Sequence, residues 1–128
     1  MHEEGLENIF LRHNKHKLAM SNAVKALNLK LFADEKYLSP SITAIETGEM
    51  DAEEFRKTIK NKFDILLAGG QDHLKGKIFR VGHLGYVNDR DIIAVISAIS
   101  NTLLNLGKIT AQQAGEALVI ASKCLESN

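Results

Sequence analysis

Two adjacent glycines, Gly69 and Gly70, constrain this chain more than any other feature. They end a short apolar run, residues 65–68 (ILLA), and a polar stretch, residues 71–77, separates that run from a second one, residues 78–83 (IFRVGH). Both runs have strand length and are bounded by turn residues. Together they read as a buried strand, a turn containing Gly76 and an antiparallel partner strand. The rest of the chain supplies what covers that hairpin.

From Glu3 to Leu27 the periodicity is helical, with Leu6, Phe10, His13, Lys17, Met20, Val24 and Leu27 at steps of three or four. Asn28 follows as a left-handed residue closing the helix. Leu29, Leu31 and Ala33 mark a short strand, residues 34–40 a loop, and residues 41–47 (SITAIET) a β-branched strand that Gly48 breaks. Asp51 with Glu54 is a capping-box variant opening a helix with Phe55, Ile59 and Phe63 on one stripe. Asn88 caps a helix whose buried face is Ile92, Ile96, Ile99 and Leu103, and Gly107 stops it. Thr110 and Gln113 form another capping box before a last helix with Leu118 and Leu125. There is no internal repeat and no low-complexity segment. The order helix, strand, helix, hairpin, helix, helix predicts an α+β fold: a small, mostly antiparallel sheet with helices on one side, in one domain over residues 1–128.

With 128 residues, 45% hydrophobic and 25% charged, the chain has enough apolar material for a core of its own. Sixteen basic residues balance 16 acidic ones, so neither a nucleic-acid nor an anionic-membrane partner is expected. The single cysteine, Cys124, excludes an intrachain disulfide, and a reducing, cytoplasmic setting is expected. No apolar run reaches membrane-spanning length, and the acidic start MHEEGLENIF is unlike a signal peptide. The chain opens almost inside a helix, as expected of a domain excised from a longer protein.

Arg80 is the foremost candidate for chemistry. Alternation along its strand puts Ile78, Arg80 and Gly82 on one face and Phe79, Val81 and His83 on the other. An arginine behind a double glycine and beside Gly82 can sit at the rim of a cleft, where its planar guanidinium pairs with a carboxylate through two parallel hydrogen bonds. The competing reading is an edge-strand arginine in solvent or in a structural ion pair. Gly69 and Gly70 could bring backbone close to a ligand, or simply meet a hairpin's need for positive φ. AGGQDHLKGK matches no phosphate-binding glycine motif. His13 and His16 have helical ligand spacing, but Lys15 and Lys17 are poor neighbours for a cation and no metal is expected. His13 and Lys17 either turn the helix toward another domain or are a polar gap in its stripe. Cys124 reads as an inert thiol. No serine sits in a nucleophile elbow, and the acidic residues cluster at helix starts, where they cap.

The segment ILLAGGQDHLKGKIFRVGHLGYVNDRDIIAVISAI (residues 65–99) resembles the C-terminal small domain of class V aminotransferases of fold type I. The resemblance is to the serine–pyruvate and alanine–glyoxylate group, which includes proteins named as the small subunit of a soluble hydrogenase. EEGLENIFLRH, ALNLKLFA and SPSITAIETG support it, in order, from about Glu3 to Leu106. It implies a homodimer whose N-terminal large domain holds pyridoxal phosphate through a lysine. It further implies that the small domain closes over the site and that Arg80, in the F-R-x-G motif, binds the α-carboxylate of amino acid and 2-oxo acid substrates. Gly69, Gly70 and Gly82 would line the cleft. Lys75 and Lys77 are motif positions of the small domain, not the cofactor lysine. The chain therefore has no catalytic residue of its own and is expected to bind no cofactor and show no transaminase activity alone. The alternative is a non-catalytic interaction module or a subunit from a split gene.

Overall fold

The computed structural model describes residues 3–32, 42–70, 72–82 and 88–126. The first helix, α1, runs over Glu3–Ala26, and Asn28, at φ 63°, ends it in the left-handed conformation the sequence predicts. Among its described side chains, His16, Ala19, Met20, Ala23 and Val24 form the buried stripe and Leu27 continues it. The expected stripe positions Leu6, Phe10 and His13 lie outside the described side chains. Lys17 is half-buried and Leu18 is exposed.

Strand β1 (Lys30–Leu31) is shorter than the pattern implies, and β2 (Ile42–Glu46) falls within the expected segment. Helix α2 (Ala52–Phe63) starts at Asp51, whose carboxylate accepts from the Glu53 amide at 2.9 Å. The box with Glu54 does not form. The capping oxygen takes the amide two residues on, and the neighbouring Glu53 spends its side chain on Arg56. Asp64, at φ 56°, ends the helix.

The hairpin is present with a shifted first strand: β3 is Ala68–Gly69, not residues 65–68. After the left-handed Asp64, Leu66 is 79% exposed and only Leu67 is buried, so the apolar run reaches the sheet late. A 3-10 turn (Asp72–Leu74) and Gly76, at φ 84°, lead to β4 (Ile78–Gly82). The expected last strand residue, His83, lies outside the described residues. Helix α3 (Asp89–Asn105) opens on a full capping box between Asn88 and Asp91, and α4 (Ala111–Glu126) on the reciprocal Thr110–Gln113 bonds at 2.9 and 3.1 Å.

The sheet has the order β1-β2-β4-β3 and every pairing is antiparallel. Its register separates two faces. Ile45, opposite Phe79, and Val81, opposite the buried Thr43, turn toward the helices and join Met20, Phe55, Ile96 and Ile99 in the main core. The Phe55 and Phe79 rings stack at 5.3 Å. Ala44 and Ile78 turn the other way, into a small separate cluster with Phe32 and Leu74. The architecture is thus α+β, with an antiparallel sheet and its helices on one side. Helix α1 packs against α4 and α3, and Ala19, Ala23, Ala117 and Ala121 are all fully buried there.

Candidate functional site

The face of the sheet away from the helices carries Arg80. Strand β4 is central, between β2 and β3, which removes the edge-strand alternative for this arginine. Its direct neighbours on that face are Ala44 on β2 and Ala68 on β3. An alanine on each side leaves a long side chain room that larger neighbours would fill. Ala44 is buried and Ala68 exposed, so the surroundings open toward β3. Arg80 is itself half-buried, and its Nε donates to the Gly69 carbonyl at 2.9 Å. That bond ties the side chain to the open edge of the sheet.

The acceptor strand is itself held. Arg56 of α2 donates from Nη1 to the Leu67 carbonyl at 2.6 Å. Its Nη2 and Nε meet the two carboxylate oxygens of Glu53 at 2.6 and 3.2 Å, a forked pair. The hydrogen bond from Arg56, with the Arg56 and Lys75 charges, holds the Glu53 carboxyl below the usual carboxylate range against a smaller opposing effect of burial. Sequence reasoning passed over this cluster. The i,i+3 spacing of opposite charges at the start of a helix was visible, but its reach to Leu67 depends on how α2 lies against β3.

The two glycines owe their identity to close approach, not to backbone handedness, since neither has positive φ. A Cβ on Gly69 would come within 2.7 Å of Glu53 Oε2 and 2.8 Å of Arg56 Nη2. A Cβ on Gly70 would run into the Leu74 carbonyl and lie 2.9 Å from Ile78 Cγ1. The space beside both is thus filled by the chain's own atoms. Gly82 pairs with Ile42 at the end of the sheet.

His16 bridges α1 and α3. It is fully buried, with Nε2 2.9 Å from Asp89 Oδ1, and Lys15 Nζ stands 3.5 Å from the other carboxylate oxygen. Burial raises the Asp89 carboxyl, but the His16 hydrogen bond and the Lys15 and His16 charges together outweigh it and leave the carboxyl below its ordinary value. His16 is therefore taken up in an intramolecular pair, and among the described residues no group of three metal-ligating side chains converges. Burial lowers the Lys17 ammonium. Cys124 is half-buried, 3.5 Å from Asn22 Nδ2 across the α1–α4 contact. A cavity of about 730 Å³ lies at the other end of the sheet, lined by Lys30, Glu46 and Lys77 among others, and Arg80 is not part of it.

No protein-family model matches the chain. Individual proteins do. It is 56% identical over 107 residues to a soluble hydrogenase 42 kDa subunit of Anabaena cylindrica, covering 84% of this chain and 28% of that protein. It is 34% identical over 127 residues to the (S)-ureidoglycine–glyoxylate transaminase of Bacillus subtilis, covering 98% of this chain and 30% of that enzyme. The crystal structure of ureidoglycine–glyoxylate aminotransferase from Bacillus subtilis superposes on 94% of the chain with a TM-score of 0.82 at 33% identity. The relatives and structural neighbours of the chain are class V aminotransferases. A second aminotransferase structure, pyridoxamine–pyruvate aminotransferase from Mesorhizobium loti, superposes on 96% of the chain with a TM-score of 0.85 at 25% identity. The chain spans about a third of the length of the class V aminotransferases it matches: 30% of the Bacillus enzyme, and 32% of each of the two solved chains.

Proposed function

We propose that this chain is the C-terminal small domain of a class V aminotransferase and that Arg80 is its clamp for the substrate α-carboxylate. The observation that carries the reading is the placement of Arg80: on a central strand, on the face away from the described α-helices, between two alanines, with its guanidinium Nε bonded to the Gly69 carbonyl. A tethered guanidinium on the face that the described helices leave uncovered suits a carboxylate that must be held in one orientation. The relatives named as glyoxylate transaminases support amino acids as donors and a 2-oxo acid such as glyoxylate or pyruvate as acceptor.

Pyridoxal phosphate belongs, on this reading, to the N-terminal large domain, where it supplies the electron sink. The described residues fit it poorly: Lys75 and Lys77 are exposed, and the space beside Gly69 and Gly70 is occupied from within. No step of the chemistry is assigned to this chain beyond binding the carboxylate and fixing the direction of the Cα–H bond. The full enzyme is proposed to be a cytoplasmic homodimer, with Gly82 bordering the cleft and Gly69 and Gly70 reaching it through their backbone alone, since the space beside each is filled. The hydrogenase-subunit names of two relatives favour a second reading, a subunit of a larger assembly. Reading the coding sequence upstream of Met1 for a large domain with its lysine separates the two.

The test is Arg80→Lys in the full-length protein. Lysine keeps the charge and loses the planar fork. Losing one charge-assisted hydrogen bond, worth about 1.5–3 kcal/mol, lowers kcat/KM for alanine or serine roughly tenfold to a hundredfold. A simple primary amine is spared. Equal losses for amino acid and amine reject Arg80 as the clamp.

A further inference from the structure

Arg80 leans on a strand of two residues, and a strand that short pairs too little backbone to hold its own position. Beyond its ladder with β4, the link that fixes it comes from α2. Arg56 grips the Leu67 carbonyl immediately before β3, and the Glu53 carboxylate fixes the orientation of Arg56 through both oxygens. Gly69, whose carbonyl receives Arg80, lies directly under this pair, so that no side chain fits between them. A continuous chain of bonds therefore runs from Glu53 through Arg56, Leu67 and Gly69 to the Arg80 guanidinium.

We propose that Arg56, oriented by Glu53, is a positioning residue for Arg80: it sets the height of β3 and so the direction in which the Arg80 guanidinium presents its fork. This rests on the reading of Arg80 as the carboxylate clamp. Arg56 touches no substrate. It is on the helix side of the sheet and Arg80 on the other, and the backbone of residues 67–69 joins the two. Releasing the Leu67 carbonyl lets β3 shift, and a clamp misplaced by a fraction of an ångström forms one strong hydrogen bond where it had formed two.

The experiment is a double-mutant cycle in the full-length protein, read as the ratio of kcat/KM for alanine to kcat/KM for a primary amine without a carboxylate. Arg56→Ala is expected to lower that ratio by about tenfold, mainly through KM for the amino acid. On an Arg80→Ala background the same change is expected to leave the ratio where Arg80→Ala put it, because the residue through which Arg56 acts is gone. A role in stability alone would reduce alanine and amine activity together and leave the ratio untouched, which overturns the proposal. A full tenfold loss on both backgrounds overturns it too, because Arg56 would then act independently of Arg80. If Arg80→Ala itself fails to move the ratio, the clamp reading falls first and takes this inference with it, a result distinct from the other two. Gly69→Ala guards against misfolding of Arg56→Ala. The atoms nearest its methyl are the ends of the Glu53 and Arg56 side chains, so the chain can fold by displacing the pair, and the same loss of ratio is expected. An unchanged ratio in both variants rejects the proposal.

Discussion

The two faces of one small sheet follow different rules. Toward the helices, Ile45, Phe79 and Val81 are buried in a core with Met20, Phe55, Ile96 and Ile99, and any sequence that keeps volume and pattern would serve. On the other face, two alanines flank an arginine whose guanidinium Nε donates to a neighbouring carbonyl. Generic packing maintains the first face. The second carries a small apolar cluster of Ala44, Ile78, Phe32 and Leu74 with Arg80 beside it, and it is there that the proposed chemistry lies.

Adjacent residues on β4 give the sharpest contrast. Phe79→Ala is expected to destabilise by about 3–5 kcal/mol, the usual cost of emptying a buried aromatic site. Arg80→Ala is expected to cost less, about 1.5–3 kcal/mol, the scale of a hydrogen bond from a charged group. Urea unfolding of the full-length protein carrying each change measures both. Comparable losses would mean that Arg80 is a core structural residue and that the two faces do not differ in kind.

The glycines give a second contrast. Gly70→Ala forces a methyl against the Leu74 backbone, which has no flexible end to move aside. It is expected to cost about 1–3 kcal/mol. Gly115→Ala, in the exposed middle of α4 with nothing within 4 Å, is expected to stabilise by roughly 0.5–1 kcal/mol. Similar responses at the two positions would remove close approach as the reason for Gly70.

Much of this was legible in advance, for identifiable reasons. Isoleucines at 92, 96 and 99 and the Thr110–Gln113 box announce α3 and α4 because they are local signals. The buried face of α4 was less visible. Ala117 and Ala121 do that work beside Leu125, one of the two leucines periodicity singles out, while the other, Leu118, is half-buried. Small residues carry little hydropathy contrast and declare their role only when another helix packs against them. Strand β3 was misplaced by the apolar appearance of residues 65–68, because nothing local says that Leu66 points outward. Arg80 was singled out from alternation and from the resemblance of its motif, and its central place between two alanines was not foreseen. Arg56 was passed over, because its bond reaches a carbonyl 11 residues away.

The smallest expected effect concerns pH. The Glu53 carboxyl is held below its ordinary value of 4.5 in the folded chain, so it binds a proton less readily there than when unfolded. Its contribution is therefore fully present above about pH 4.5 and is lost as the pH falls through the folded value. Glu53 is partly exposed, so screening keeps the effect modest. Wild type is expected to lose slightly more Tm than Glu53→Gln between pH 6 and pH 3.5, values chosen to bracket that ordinary carboxylate range of about 4. Parallel curves would remove the pair as a pH-sensitive contact.

The central claim, that the helix-free face presents a carboxylate clamp, is tested most directly in the acceptor half of the reaction. In the full-length protein, single-turnover rates with glyoxylate are compared with those for a small aldehyde lacking a carboxylate, in wild type and Arg80→Ala. The account predicts that the substitution slows the reaction with glyoxylate by roughly a hundredfold or more while the aldehyde changes little, because a lost counter-charge costs upward of about 3 kcal/mol. Equal slowing of both acceptors would contradict it.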